Sequence, residues 1–452
     1  MGEIARADAN ASRAFFVRML TRDISIEDCI LDLVDNSVDS AWKALGSVRL
    51  GLLSGPDFSK VKIDLKVTPE LFSIKDNCGG MSLESAKKYA FTFGRKAEDP
   101  ADSAEFSIGV YGIGLKRAVF KLGKDINVRS THRKKGGVDA FEVPIDVETW
   151  VKGTGTDWDF PIMDAEELPE SGLDIEIKDL TDLAKLTFGD TEFASFLRRT
   201  IARDYSLHLH RGLSVTVNDV PVVGEIFKLF TGGDFEPKYE TYVEKIGNEK
   251  VYVEIVAGFA FPPAEDNDPT EKRTEREEKS GWYVACNGRI VMAADKTALS
   301  VWGDEFPGWH PQYTGFFGLI VFSADATELL PLTTTKRSVD LSSIVYRRAR
   351  PKMKEPTRAW IDYTNARKTD KASAEQEEAK AVQSSIFSVR PQAQVVLPQI
   401  RKARVRDTSL QFRMPIERVK RLALGFGDAT LSNSEVGRKA FDYAYDDLAV
   451  EE

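Results

Sequence analysis

LDLVDNSVDSA, residues 31–41, is the stretch on which the reading of this chain turns. It lies inside a longer periodic run. Ile26, Ile30, Leu33, Val34, Val38, Ala41 and Leu45 recur at helical spacing, and Ser25 with Asp28 three residues on makes an N-terminal cap, so the pattern predicts a helix over residues 24–46. On that helix Asp32, Asn36, Asp39 and Lys43 fall three or four residues apart and share one side, while the apolar positions take the other. A polar stripe is ordinarily a solvated face. Here, however, Asp and Asn, both poor helix formers, sit in the helix interior, and a carboxylate with an amide at i, i+4 can hold a divalent cation and orient a water.

Two strand-like runs follow, VKIDLKV (61–67) and LFSIKD (71–76), and then SIKDNCGGMS (73–82) carries Asp76 into a turn with Gly79 and Gly80. DN and GG are good formers of an ordinary β-turn. The same residues also suit a carboxylate at a strand end that accepts from a base amine, with glycines admitting the ring without a Cβ clash. A helix is expected from near Ser82 to about Phe93, and the polar segment 94–106 interrupts the pattern. GVYGIGLK (109–116) then sets Gly109, Gly112 and Gly114 ahead of a helix beginning near Leu115. Backbone N–H groups at a helix N-terminus, freed of side chains by glycine, cradle phosphate, and Lys116 adds a point charge. A Rossmann turn reads similarly, but no βαβ unit or acidic ribose residue follows in place. The strands INVRST, DAFEVPID and LDIEIKDL come next, an order that speaks for an α/β sandwich with a largely antiparallel sheet.

Together, in this order and spacing, the three segments resemble the GHKL superfamily of gyrase B, MutL, the heat-shock chaperone, MORC proteins and histidine kinases, with the MORC/MutL-like branch of bacterial ATP-binding proteins nearest. The resemblance implies an α+β fold: a Bergerat-type α/β sandwich ATPase domain over 10–184, a transducer-like (ribosomal S5-like) α/β domain over 185–365, a linker at 366–385 and a small helical C-terminal region at 386–452. It implies ATP and Mg²⁺ as ligands and ATP hydrolysis as the activity. Asp32 stands at the family's general base, Asn36 at its Mg²⁺ ligand and Asp76 at its adenine-amine acceptor. Gly80 and Met81 fall at the base pocket, and Asp39, Gly109, Gly112, Ile113, Gly114, Leu115 and Lys116 fall at nucleotide-contacting positions, with residues 94–110 as the lid. In TTTKRSVD (333–340), Lys336 stands where the transducer domain sends a lysine to the γ-phosphate. There are three departures. Asp32 replaces a glutamate, shortening the reach by roughly 1.5 Å. Leu173 replaces a threonine in SGLDIEIKDL (171–180), and Cys78 stands at the first glycine of the adenine-binding box.

The rest of the composition bounds the reading. With 452 residues and 42% apolar content the chain buries substantial cores. No sustained apolar run reaches the length of a membrane span, and a cytoplasmic location is expected. Cys29, Cys78 and Cys286 lack paired spacing and read as plain thiols, and the four histidines read as structural. The net charge of −9 hides an asymmetry, because residues 341–421 carry 19 Lys+Arg against 8 Asp+Glu. Such a block suits DNA or an acidic partner, or a solvated helix. Residues 368–385 are polar and without an apolar stripe, as in a linker or an exposed helix. The expected output is an ATP-gated, DNA-associated clamp or defence-type ATPase closing as a nucleotide-dependent homodimer. The alternatives are a chaperone-like or scaffolding ATPase acting on protein partners, and a nucleotide-sensing module in which Asp32 supports little turnover.

Overall fold

The computed structural model describes residues 12–91, 108, 114–153, 158–263, 269–333, 335–400 and 408–448. The chain divides into two compact units, 1–401 and 402–452. In the first unit eight strands form one sheet: β1 (Lys62–Val67), β2 (Phe72–Asp76), β3 (Gly123–Lys134), β4 (Gly137–Asp146), β5 (Met163–Asp164), β6 (Gly172–Leu180), β7 (Ser214–Val217) and β8 (Val220–Pro221), in the order β5-β4-β3-β6-β2-β1-β7-β8. Only β1 with β7 is a parallel pair. LSVTVN, which reads from sequence as part of the second domain, therefore closes the first sheet. In β1 the pleat alternates, with Ile63, Leu65 and Val67 buried and the residues between them exposed.

The helices of this layer are α1 (Arg13–Arg22), α2 (Ile26–Ala44), a short α3 (Leu83–Ser85) running into a π-turn at Ala86–Ala90, α4 (Gly114–Leu122), α5 (Val147–Lys152), α6 (Asp182–Gly189), α7 (Phe193–Asp204) and α8 (Ser206–His210). The cap read from sequence on α2 is present, since Ser25 Oγ accepts from the Asp28 N–H at 3.0 Å. Twelve of the 19 residues of α2 are buried, Asp32 and Asp35 among them. A helix covered on most sides is an interior element; along its polar stripe Asp32 is buried, Asn36 and Asp39 are half-buried, and only Lys43 at the end is exposed.

Next come β9 (Lys228–Thr231), β10 (Lys238–Ile246), β11 (Glu249–Phe259), α9 (Thr270–Lys279), β12 (Gly281–Cys286), β13 (Arg289–Asp295) and β14 (Phe316–Ser323), with a second sheet ordered β10-β11-β14-β12-β13. Every residue of β14 is buried. Alternate residues of a strand face opposite sides, and here Phe317, Leu319 and Val321 join the core shared with the first sheet while Phe316, Ile320 and Phe322 join a second core. An unbroken apolar strand is what burial on both faces demands. The second core is covered by α10 (Ile344–Thr369), through Val345, Tyr346, Met353 and Trp360.

The stretch expected as a linker, 366–385, is instead the end of α10, α11 (Lys371–Glu378) and β15 (Val382–Ser385), which pairs antiparallel with β9. Its anchor is polar: Glu378 accepts from Tyr363 Oη and Arg367 Nε, both at 2.8 Å. No apolar periodicity announces such a contact. In the second unit α12 (Ile416–Gly425) and α13 (Asn433–Leu448) form a hairpin. Ser432 and Glu435 make a reciprocal capping box at the start of α13. Among the described residues no helix is long and apolar enough to cross a membrane.

Because β14 feeds both cores, Leu319→Ala and Ile320→Ala are each expected to lower the unfolding free energy by about 2–5 kcal/mol. Urea denaturation measures this, and a loss below about 1 kcal/mol at either position would contradict the burial of that face.

Candidate functional site

One turn of α2 places Asp32 and Asp35 side by side, and Lys336, from the loop between β14 and α10, is inserted between them. Its Nζ lies 3.2 Å from Asp32 Oδ1 and 2.7 Å from Asp35 Oδ2. Arg117 of α4 donates to Asp32 Oδ2 at 2.6 Å. On the far side Arg289 of β13 pairs with Asp35, and Tyr205 Oη donates to Asp35 Oδ1 at 2.6 Å. Lys336 is held in a left-handed backbone conformation, φ 56°, by a turn in which its N–H donates to Thr333 O at 2.9 Å. The next residue, Arg337, pairs with Glu27 and Asp28 in the first turn of α2 and with Asp204 at the end of α7.

Each carboxylate thus has two cationic partners. Removing an ion from water is expensive, and only close, well-directed pairing compensates. Burial pushes the Asp35 carboxyl up, but Arg289 and Lys336 hold it below the ordinary carboxylate range. Burial likewise pulls the Lys336 ammonium down, and Asp35 and Asp32 carry it above its usual value. Asp35 and Lys336 therefore face one another as ions near neutral pH.

Asp76 sits at the end of β2. Its Oδ1 accepts from the backbone N–H groups of Cys78 at 3.0 Å and Leu173 at 3.1 Å, and its Oδ2 accepts from Ser37 Oγ at 2.6 Å. Ser37, the neighbour of Asn36, thus reaches Asp76 from α2. Burial pushes the Asp76 carboxyl up, and these hydrogen bonds oppose the shift. Gly80 is required by backbone contact: its φ is +67°, and a Cβ there would stand 2.1 Å from Thr131 O. Met81 N–H donates to Ser130 Oγ at 2.8 Å, which ties the turn to β3.

At the other end of α2, Asp39 Oδ1 accepts from the Ile108 N–H at 2.5 Å. Gly114 opens α4 beside Asp32, where a Cβ would lie 3.6 Å from the Asp32 carboxyl. Leu115 packs on the core, and Asn36 is half-buried between Asp32 and Asp39 along the helix. Lys116 is buried, donates to Ala90 O at 3.0 Å, and is pushed down by burial to about 8. Gly109, Gly112, Ile113 and the lid segment apart from Ile108 lie outside the described residues.

The structure thus brings Asp32, Gly114 and Lys336 together and places Asp76, Gly80 and Met81 apart from them, at the end of β2 and the turn that follows it. Sequence reasoning passed over Asp35, Arg117, Arg289, Tyr205 and Ser37. For Asp35 a partial signal existed, an ionisable residue directly after the apolar pair Leu33 and Val34 in the middle of the helix. Arg289 carried the same signal ahead of the apolar run IVM.

Residues 24–153 match the family model described as histidine kinase-, DNA gyrase B-, and HSP90-like ATPase. No curated protein matches the chain. The matched stretch takes in α2, the strands β1 to β4 and α5, hence Asp32, Asn36, Asp76 and the start of α4, and this supports a GHKL-type ATPase domain over residues 24–153.

Proposed function

We propose that this protein binds Mg·ATP between α2 and the first sheet, hydrolyses it with Asp32 as the base that orients the attacking water, and reads the γ-phosphate through Lys336. The observation that carries the reading is the insertion of Lys336 between two buried carboxylates of α2. Asp76 Oδ2 retains an acceptor position beyond the Ser37 hydroxyl, fit for an exocyclic amine. Asn36 would hold Mg²⁺, which keeps most of its shell as water and phosphate oxygen and needs few protein ligands. When bound, the ion would neutralise charge on the phosphates.

Both oxygens of Asp32 are engaged, one by Lys336 and one by Arg117. A base so engaged orients a water only when a partner leaves. A γ-phosphate competes for Lys336, and its departure leaves Asp35 still neutralised by Arg289 and Asp32 by Arg117. Binding then draws on the loop that leads into α10, and nucleotide shifts that loop only as far as its contacts differ between states. Closure into a nucleotide-dependent homodimer completes the proposal, with an ATP-gated clamp on nucleic acid as its output. One observation favours the second reading, a chaperone-like or scaffolding ATPase. Four cations in the first half of α10 are matched to acids within the same unit: Arg348 to Glu244, Arg350 to Asp304, Lys352 to Glu240 and Lys354 to Glu305.

Asp32→Asn is expected to keep Mg·ATP binding and lose turnover by about 10²–10⁴-fold, and Asp76→Asn to weaken binding about tenfold or more. Calorimetry and phosphate release measure the two separately, and a wild type that binds no adenine nucleotide would refute the proposal. Lys336→Met should bind ATP yet turn over at least about tenfold more slowly; wild-type turnover in that variant would remove the lysine from the mechanism. A pH profile tests Lys116. Its folded pKa of about 8 means that the ammonium is present below that pH and lost above it, so ATP affinity should fall as pH rises through about 8. Lys116→Met should bind more weakly and flatten that step, and an unchanged profile would clear the lysine of a phosphate role.

A further inference from the structure

The hairpin of α12 and α13 is built with more apolar surface than it can cover itself. Between the two helices only Ala423 and Val436 are buried. On α13, Phe441, Tyr445 and Leu448 recur at i, i+4 and i+7 and are exposed by 54%, 62% and 77%. Phe441 and Tyr445 stack on one another with ring centroids 6.4 Å apart. Phe441 is five residues beyond Val436, a turn of about 140°, so this stripe lies on the side of α13 away from its contact with α12. A three-residue stripe at that spacing is the imprint of a partner helix.

The charges say which helix. The exposed rim of α12 carries Arg418, Lys420 and Arg421, and the last half of α13 carries Asp442, Asp446 and Asp447. Among the described residues no salt bridge joins the two helices. Length explains part of this, because α13 has 16 residues against 10 in α12, about 24 Å against about 15 Å, and its acidic end runs past the end of its neighbour. One hairpin therefore holds both halves of a complementary pair that it cannot close within itself. A two-fold axis would close both at once, since an isologous contact uses every surface twice.

We infer that the hairpin of residues 416–448 is a self-association surface, and that its occupant is the same hairpin of a second copy of this chain, completing a four-helix arrangement. This contact needs no nucleotide and is separate from the ATP-driven closure proposed above. The full-length chain without nucleotide should scatter light at twice the chain mass at micromolar concentration. Phe441→Asp with Leu448→Asp should halve that mass and leave the thermal transition of the first unit in place. Leu186→Asp, at an exposed leucine on α6, should not change the mass. A charge swap decides the pairing: Arg418→Asp with Arg421→Asp, and Asp442→Arg with Asp446→Arg, should each be monomeric alone and form a dimer when mixed. A monomeric wild type overturns the inference, whether the stripe is covered by the chain's own first unit or by another protein. So does a dimer that survives the Phe441 and Leu448 changes, or a mixture of the swapped chains that stays monomeric.

Discussion

The structure depends on one shared cation. Lys336 reaches two buried carboxylates of α2 from a loop that follows the second sheet, and its neighbour Arg337 grips the first turn of the same helix. Without Lys336, Asp35 would keep Arg289 alone and Asp32 would keep Arg117 alone, and losing a partner is costly for a buried charge. The loop therefore cannot drift from α2 without something to replace Lys336. That requirement ties α2 to the position of the loop that leads into α10.

The apolar architecture makes the tie effective. The central strand β14 lies in both cores, and α2 is covered on most sides, so neither the helix nor the second sheet has free space in which to yield. Close-packed interiors pass on a displacement and do not absorb it. Arg289 strengthens the link, since it leaves β13 to meet Asp35 and is itself fully buried. A shift of Lys336 off Asp35 thus alters the charge balance at the edge of the second sheet as well as in α2.

Periodicity carried most of the fold. The Ser25 cap, the helix it opens, and β1, β2, β3, β4 and β6 stood where apolar spacing put them, because local patterning and burial agree there. What stayed illegible was the long-range polar content. Ser37 sits one residue from Asn36, and nothing in its local sequence shows that its hydroxyl turns toward Asp76, 39 residues away. Arg117 and Arg289 meet carboxylates 85 and 254 residues distant, and no spacing rule spans such separations. The 366–385 segment failed for the same reason, being fastened by Glu378 to Arg367 and Tyr363 and not by an apolar face. Composition also overstated the basic block of 341–421, since sequence alone does not reveal how many of its cations meet acids of the same fold.

The shortness of Asp32 fits the enclosure around it. Gly114 opens α4 so close that even a Cβ at that glycine would touch the Asp32 carboxyl, with Arg117 and Lys336 on its two oxygens. A glutamate would carry its carboxyl about 1.5 Å farther, into the start of α4 and its cations. Aspartate instead leaves room for two cations to pair with one carboxylate while its neighbour Asp35 is paired twice over. The lost reach and the gained pairing have one physical origin, a helix N-terminus packed against the Asp32 carboxylate, and under the proposed function both bear on how readily Asp32 is freed.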